Sequence, residues 1–177
     1  MNRKLKTKDL NRLDIDQYKN TKKHPIVVVL DSIRSLHNVG SVFRTADAFR
    51  IEKVILCGLT AQPPHKEIHK TALGATDTVD WVYYDDIFVA VADLKSEGFE
   101  IVAVEQAEKT VMLQDLNKKS SGKTAFIFGN EVFGVNQEVV SQADYVLEIP
   151  QFGTKHSFNI SVSTGIVLWE AMRTYII

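Results

Sequence analysis

Six short apolar runs recur along the chain, and polar or helical stretches separate them. The runs are rich in β-branched residues and have the length of buried strands. They lie at 26–31, 53–58, 79–84, 99–105, 124–129 and 145–150. Helical patterns occupy 38–50, 85–98, 136–143 and 157–177, and the first 20 or so residues suggest an appended helix. Strands alternating with helices predict an α/β fold with a parallel sheet flanked by helices.

Polar residues and glycines follow three of these strands directly. The first strand is followed by HNVGSVFRTA at 37–46, the fifth by GNEVFG at 129–134, and the sixth by IPQFGTKHSFN at 149–159. In parallel α/β sheets, ligands bind beyond the carboxyl ends of the strands. The three segments therefore predict one site that is assembled from distant parts of the chain.

Composition and charge narrow the class of protein. A chain of 177 residues with 45% apolar residues predicts one domain with a sizeable core. No run approaches the roughly 20 apolar residues that cross a bilayer, and the N-terminus lacks the apolar core of a signal peptide. The single cysteine, Cys57, excludes an intrachain disulfide, and its apolar surroundings favour an inert buried thiol over a nucleophile. We expect a cytoplasmic protein that needs no membrane.

The N-terminal segment is basic although the whole chain has a net charge of −1. Residues 1–25 carry eight Lys or Arg side chains against three Asp side chains. A basic arm on a neutral domain can supply phosphate contacts, and the alternative is a solvated helix face. We predict a basic arm or helix over 1–25 and one main domain over 26–177.

Two motif-like patterns do not fit their usual context. The tripeptide GKT at 122–124 precedes a strand, whereas a phosphate-binding P-loop follows one, and Asn117 stands where its first glycine belongs. His65 and His69 share a helical spacing, but Lys66 stands where a metalloprotease needs Glu, and no third ligand is apparent. We therefore expect neither an NTPase nor a metal site.

Together the three strand-end segments resemble the motifs of the SpoU (TrmH) family of RNA ribose 2′-O-methyltransferases, within the SPOUT superfamily. The family pattern N-x-G-x3-R-T-A matches 38–46, G-x-E-x2-G matches 129–134, and the I-P-x2-G-x3-S-L-N pattern begins at 149. The segment KTALGA at 70–75 looks like a further family element, and Phe158 stands where leucine is usual. The similarity spans about residues 26–172.

The resemblance implies a SPOUT-type methyltransferase domain over 26–177, with a trefoil knot in its C-terminal half. It also implies a homodimer and S-adenosyl-L-methionine bound in the knot. The cofactor contacts would be largely backbone groups, by position those of Val104, Gly129, Ile149 and Phe158. The apolar last helix independently suggests burial, either against another subunit or as a central core helix.

The resemblance further implies that the ribose 2′-oxygen attacks the methyl group in line, with five catalytic residues around it. These are Asn38, Arg44, Glu131, Ser157 and Asn159. Family proposals make Arg44 the base, but a guanidinium has a pKa above about 12. We favour an Arg44 that positions the nucleotide in a site completed by the other subunit and stabilises developing negative charge.

Several of these residues have simpler interpretations. Asn38 could fix the loop or a ribose, or only cap a helix, and Ser157 could also be only a cap. Glu131 could orient Arg44 or Asn38, offset the cofactor's positive charge, or be a solvated loop carboxylate. Gly40 lets two backbones approach closely.

The leading hypothesis is a methyltransferase that modifies a ribose 2′-hydroxyl in tRNA or rRNA. For RNA contacts we nominate five cations, Lys22, Lys23, Arg34, Lys66 and Lys70, together with the basic arm. The alternatives are an RNA-binding protein of the same fold without catalysis and an unrelated α/β enzyme that binds another nucleotide. The sequence does not identify the RNA or the modified nucleotide.

Overall fold

A seven-stranded parallel sheet forms the centre of the protein, as seen in a computed structural model that describes residues 2–6, 9–119 and 122–176. The spatial order is β3-β2-β1-β6-β4-β7-β5, and all paired strands run parallel. The strands are β1 His24–Asp31, β2 Ile51–Cys57, β3 Asp80–Tyr84, β4 Glu100–Val104, β5 Val111–Met112, β6 Thr124–Phe128 and β7 Tyr145–Glu148. The predicted parallel α/β fold is confirmed.

Helices cover both faces of this sheet. They are α1 Ile15–Asn20, α2 Leu36–Ala48, α3 Lys66–Ala72, α4 Ala75–Thr78, α5 Ile87–Ser96, α6 Leu116–Lys119, α7 Gln137–Gln142 and α8 Ile160–Ile176. Successive side chains of a strand point to opposite faces. Val28 of β1 thus joins the core beneath α2, α3 and α8, whereas Val27 and Val29 join the core beneath α5 and α7. Among the described helices, none combines the length and the apolar character needed to span a bilayer.

The structure corrects several predicted boundaries. The appended helix is confined to Ile15–Asn20, because Leu5, Leu10 and Leu13 stay exposed and offer no buried face to a longer helix. Strand β1 begins at His24, two residues before the predicted start of this strand at residue 26. The last helix begins at Ile160 and not at Ser157.

Short elements escaped the sequence analysis altogether. They are α3, α4, α6, strand β5 and a 3-10 turn over Leu113–Asp115. Apart from α3, each has at most four residues and is too short to show a helical or strand period.

Helix α2 packs closely against α3, and this contact places the first predicted motif. A Cβ atom added at Gly40 would lie 2.2 Å from both the carbonyl oxygen of Ile68 and Oγ1 of Thr71. The close backbone approach predicted for Gly40 is therefore real, and its partner is α3. Ser35 caps α2, since its hydroxyl accepts a hydrogen bond from the backbone N–H of Asn38 at 3.3 Å. The interpretation of Asn38 as a helix cap was therefore wrong.

Candidate active site

Glu131 anchors the start of α2 to the turn that follows β6. Its Oε2 accepts the backbone N–H of Arg34 at 3.0 Å, and its Oε1 accepts that of Ser35 at 3.1 Å. Oε1 also accepts Nδ2 of Asn38 at 3.4 Å. Partial burial alone would raise the pKa of Glu131, but these hydrogen bonds outweigh it, and the pKa lies below its usual value. At neutral pH the site therefore contains a fixed negative charge.

Asn38 extends this contact to the start of the last helix. Its Oδ1 accepts Nδ2 of Asn159 at 3.1 Å. Asn159 in turn accepts the backbone N–H of Ser161 at 2.9 Å, which is the hydrogen bond of a helix cap. Asn159, and not Ser157, thus caps α8, and a continuous chain of hydrogen bonds joins α8, α2 and the turn after β6.

That turn is braced by Asn130. Asn130 and Gly134 exchange two backbone hydrogen bonds, of 3.0 and 2.9 Å. The Asn130 side chain donates to the carbonyl oxygen of Ser32 at 2.7 Å and accepts the backbone N–H groups of Val132 and Phe133. A Cβ atom at Gly129 would lie 2.1 Å from the backbone of Gly134, so only glycine fits there. The glycines of this motif close the turn on itself.

Glu105, at the end of β4, is a site residue that the sequence analysis missed. Its Oε2 accepts the backbone N–H of Val135 at 3.0 Å, and its Oε1 accepts that of Gln106 at 2.9 Å. A Cβ atom at Gly134 would lie 2.2 Å from this carboxylate. Glu105 therefore fastens the loop after β4 to the turn after β6. An acidic residue directly after a buried strand was the available signal.

A cavity of about 1270 Å³ lies between these loops. All four residues predicted to contact the cofactor, Val104, Gly129, Ile149 and Phe158, line it. Its wall also includes the predicted catalytic residues Glu131, Ser157 and Asn159, together with Glu105. The carboxyl ends of β4, β6 and β7 thus surround one cavity, as the sheet topology requires.

Comparison with known proteins identifies the family. Residues 25–169 match the SpoU rRNA Methylase family. The chain belongs to this family. A relative from Neisseria meningitidis, named 23S rRNA (guanosine-2′-O-)-methyltransferase RlmB, is 32% identical over 158 residues, covering 89% of this chain and 62% of the relative.

Two solved structures share the fold of this SpoU family member. The AdoMet-bound rRNA methyltransferase from Sinorhizobium meliloti has a TM-score of 0.76 and 30% identity, over 85% of this chain and 58% of the other. The TrmH/SpoU tRNA modifying enzyme of A. aeolicus has a TM-score of 0.79 and 28% identity, over 90% of this chain and 79% of the other. The chain thus spans about three fifths of the length of the Neisseria and Sinorhizobium relatives. The resemblance drawn from the sequence motifs is confirmed.

Arg44 of this SpoU family member lies apart from the hydrogen-bonded network. It follows Asn38 by six positions on α2, which is about 9 Å along the helix axis and on a different face. Its side chain is exposed, and within the part of the chain that the structure describes it has neither a hydrogen bond nor an ion pair. Glu131 therefore orients Asn38 and not Arg44.

The five cations nominated for RNA differ in their surroundings. Arg34, Lys22 and Lys66 are exposed and have no side-chain partner among the described residues. Lys70 donates to Glu67 at 2.7 Å, and Glu67 also contacts His37 at 3.0 Å. The ammonium group of Lys23 donates to the carbonyl oxygens of Tyr18 and Thr21, which closes the end of α1. The ammonium groups of Lys23 and Lys70 therefore already have hydrogen-bond partners within the chain.

Neither a reactive thiol nor a metal-binding cluster occurs among the described residues. Cys57 is fully buried, as predicted, and burial together with Asp31 and Asp86 raises its pKa to about 12. Its thiol is therefore protonated and unreactive at neutral pH. Over residues 2–6, 9–119 and 122–176, no group of three His, Cys, Asp or Glu side chains is placed to hold a metal ion.

Proposed function

We propose that this chain transfers a methyl group from S-adenosyl-L-methionine to the ribose 2′-hydroxyl of a nucleotide in tRNA or rRNA. The observation that carries the proposal is the hydrogen-bonded chain Asn159–Asn38–Glu131, which joins the three family motifs and places Asn159 and Glu131 in the wall of the cavity. The family and the names of its relatives support the same activity.

The cavity suits such a cofactor. Its volume of about 1270 Å³ exceeds that of typical small-molecule sites, so there is room for a nucleotide as well. The cofactor supplies an electrophilic methyl group on a positively charged sulfur. Glu105 and Glu131 place negative charge in the cavity wall, which favours a cation there. Backbone groups of Val104, Gly129, Ile149 and Phe158 would hold its remaining polar atoms.

The side chains of the site would act mainly by positioning. The Asn159–Asn38–Glu131 chain fixes the relative places of three loops, and correct orientation of reactants lowers a barrier by up to about 7–11 kcal/mol. Arg44 would hold the ribose or its phosphate and stabilise negative charge on the attacking oxygen. The exposed hydroxyl of Ser157 lies in the cavity wall, within the space open to the substrate.

We further propose that the active protein is a homodimer. Val162, Ile166 and Trp169 recur at helical spacing along α8, and Phe158 lies two residues before its start. Together they form an apolar stripe, in which Trp169 is 56% exposed. Such a stripe marks an interaction surface. The Trp169 ring lies 6.4 Å from that of Phe49, at the Arg44 end of α2. A second copy covering the stripe would bring its own active site towards this Arg44.

RNA recognition would rest on Arg34, Lys22 and Lys66, on Lys70 once released from Glu67, and on the basic segment 1–25. Phosphate contacts of this kind make affinity fall steeply with salt. The division at residue 25, the trefoil knot within 26–177 and the cytoplasmic location stay predictions of the sequence and its resemblance.

A transfer assay tests the proposed activity. Total tRNA and, separately, rRNA from cells that lack this gene would receive labelled S-adenosylmethionine and protein. We expect label as 2′-O-methylribose in one pool, lost with Arg44→Ala and retained with Lys95→Ala, an exposed cation on α5. Absence of label despite demonstrated cofactor and RNA binding would contradict the proposal and favour an RNA-binding protein without catalysis.

A further inference from the structure

The turn over residues 130–134 presents two kinds of side chain in opposite settings. Glu131 is tied to α2 through Arg34, Ser35 and Asn38. Two residues later, Phe133 is 87% exposed, and its neighbour Val132 is 66% exposed. Both line the mouth of the cavity that holds the candidate active site. An exposed aromatic ring thus lies on the same short turn as the carboxylate that anchors the network.

The exposure of Phe133 does not come from a loose loop. Its own backbone N–H donates to Oδ1 of Asn130 at 3.2 Å, and Asn130 is tied to Ser32 and to Gly134. A Phe side chain left in water forgoes the free energy that burial of its apolar surface would provide. A braced backbone that holds such a ring outwards points to a partner that covers the ring.

Two exposed cations, one bound through its backbone to this turn and one in the wall of the same cavity, indicate the chemistry of that partner. The backbone of Arg34 binds Glu131, while its guanidinium is exposed and has no partner among the described residues. Lys109, also exposed, lines the same cavity. Aromatic rings next to cations in a groove are the pattern by which proteins bind single-stranded nucleic acid. A second copy of the chain would instead cover the apolar stripe of α8, the surface proposed above for the dimer.

We propose that Phe133 stacks on the unpaired base of the RNA nucleotide that enters the cavity, with a neighbouring phosphate at Arg34. The inference rests on the proposed function, since a ribose 2′-hydroxyl enters a cavity most easily when its base leaves the helical stack. Every base has a face that can stack, so Phe133 selects an unpaired nucleotide and not a particular base. The turn then places that ribose towards Glu131 and Asn38.

Three substitutions in the full chain test the role of the ring. Phe133→Ala removes it, Phe133→Leu keeps apolar volume without an aromatic face, and Phe133→Trp keeps an aromatic face. Leu59→Ala is the matched control, because Leu59 is 80% exposed on a loop outside the cavity wall. The measurements are the affinity for fluorescein-labelled single-stranded oligoadenylate, the KM and kcat for RNA, cofactor affinity, and mass by sedimentation.

We expect Phe133→Ala and Phe133→Leu to weaken oligoadenylate binding and raise the KM for RNA by about 5- to 150-fold. Phe133→Trp would retain most of the oligoadenylate affinity because it keeps an aromatic face, Leu59→Ala would behave as the wild type, and the mass of the protein would not change. Wild-type binding by Phe133→Leu, or dissociation of a dimer by Phe133→Ala, would overturn the proposal in favour of an apolar contact. A wild-type protein that transfers no methyl group would overturn the proposed activity, while the oligoadenylate titration would still decide the stacking.

Discussion

The two ends of helix α2 differ in what holds them. At the N-terminal end, Ser35 caps the helix and Asn38 lies between Glu131 and Asn159. Six residues after Asn38, Arg44 points into solvent without a partner in the described chain. Both residues belong to one family motif, yet the chain itself satisfies only the first.

This difference shows that residues of one motif can serve two different purposes. Asn38 and Glu131 build the site, so their loss would disturb both structure and activity. Arg44 has no hydrogen bond or ion pair with the described residues, so under the proposed function it would act on RNA or at the site of a second copy.

The largest effect is expected from Arg44→Ala. Loss of a group that stabilises developing charge lowers kcat/KM by about 10²–10³-fold. The free energy of unfolding would change by less than about 0.5 kcal/mol, because the side chain is exposed and unpaired. Methyl-transfer kinetics and urea unfolding measure the two quantities. Arg44→Lys, which keeps the charge without the planar fork, would recover part of the activity. If Arg44→Ala lost much stability, Arg44 would contribute to the fold as the N-terminal end of α2 does.

Gly40→Ala tests the packing that places both ends. The added Cβ would lie 2.2 Å from the backbone oxygen of Ile68, and overpacking of this kind costs about 1–3 kcal/mol. Urea unfolding gives the change in stability. Ser41→Ala, on the next position of α2, serves as the control and should be neutral within about 0.5 kcal/mol. Equal stability of the two variants would show that α2 and α3 separate freely.

A double-mutant cycle measures the contact between Asn38 and Glu131 directly. Asn38→Ala and Glu131→Gln should couple by about 0.5–1 kcal/mol in unfolding free energy, a small value because Glu131 is exposed. Arg44→Ala combined with Glu131→Gln should be additive, since these side chains do not touch. If Arg44 and Glu131 were coupled while Asn38 and Glu131 were additive, Glu131 would contact Arg44 and not Asn38.

The smallest effect concerns acid stability. The folded-state pKa of Glu131 is lowered, so its contribution to stability is present at neutral pH and is lost as the pH falls through that lowered pKa. The sign follows because the unfolded chain binds the proton more readily than the folded one. The wild type should therefore lose more stability on acidification than Glu131→Gln does, as followed by urea midpoints. If the stabilities of the two proteins changed in parallel with pH, the folded-state pKa of Glu131 would not be lowered.

The apolar runs and the motifs were sufficient to predict the main lines of the fold and the location of the site. Six runs rich in β-branched residues, each long enough to be recognised as a strand, correctly predicted β1, β2, β3, β4, β6 and β7. The carboxyl ends of parallel strands meet at one edge of a sheet, so the motifs after β1, β6 and β7 had to come together. The motif residues were sufficient to identify the family.

Which atoms meet at that edge depends on the tertiary structure. Asn38 is separated from Glu131 by 93 positions and from Asn159 by 121, so no local pattern records their hydrogen bonds. The same holds for Glu105, whose role depends on the N–H of Val135 across two loops. Helix caps also changed, from Asn38 to Ser35 and from Ser157 to Asn159, because a cap requires a particular backbone geometry and several neighbouring residues can supply the oxygen. Hydrophobic periodicity predicts where helices and strands lie. The hydrogen-bond partners, in contrast, depend on distances of about 3 Å between segments that are remote in sequence.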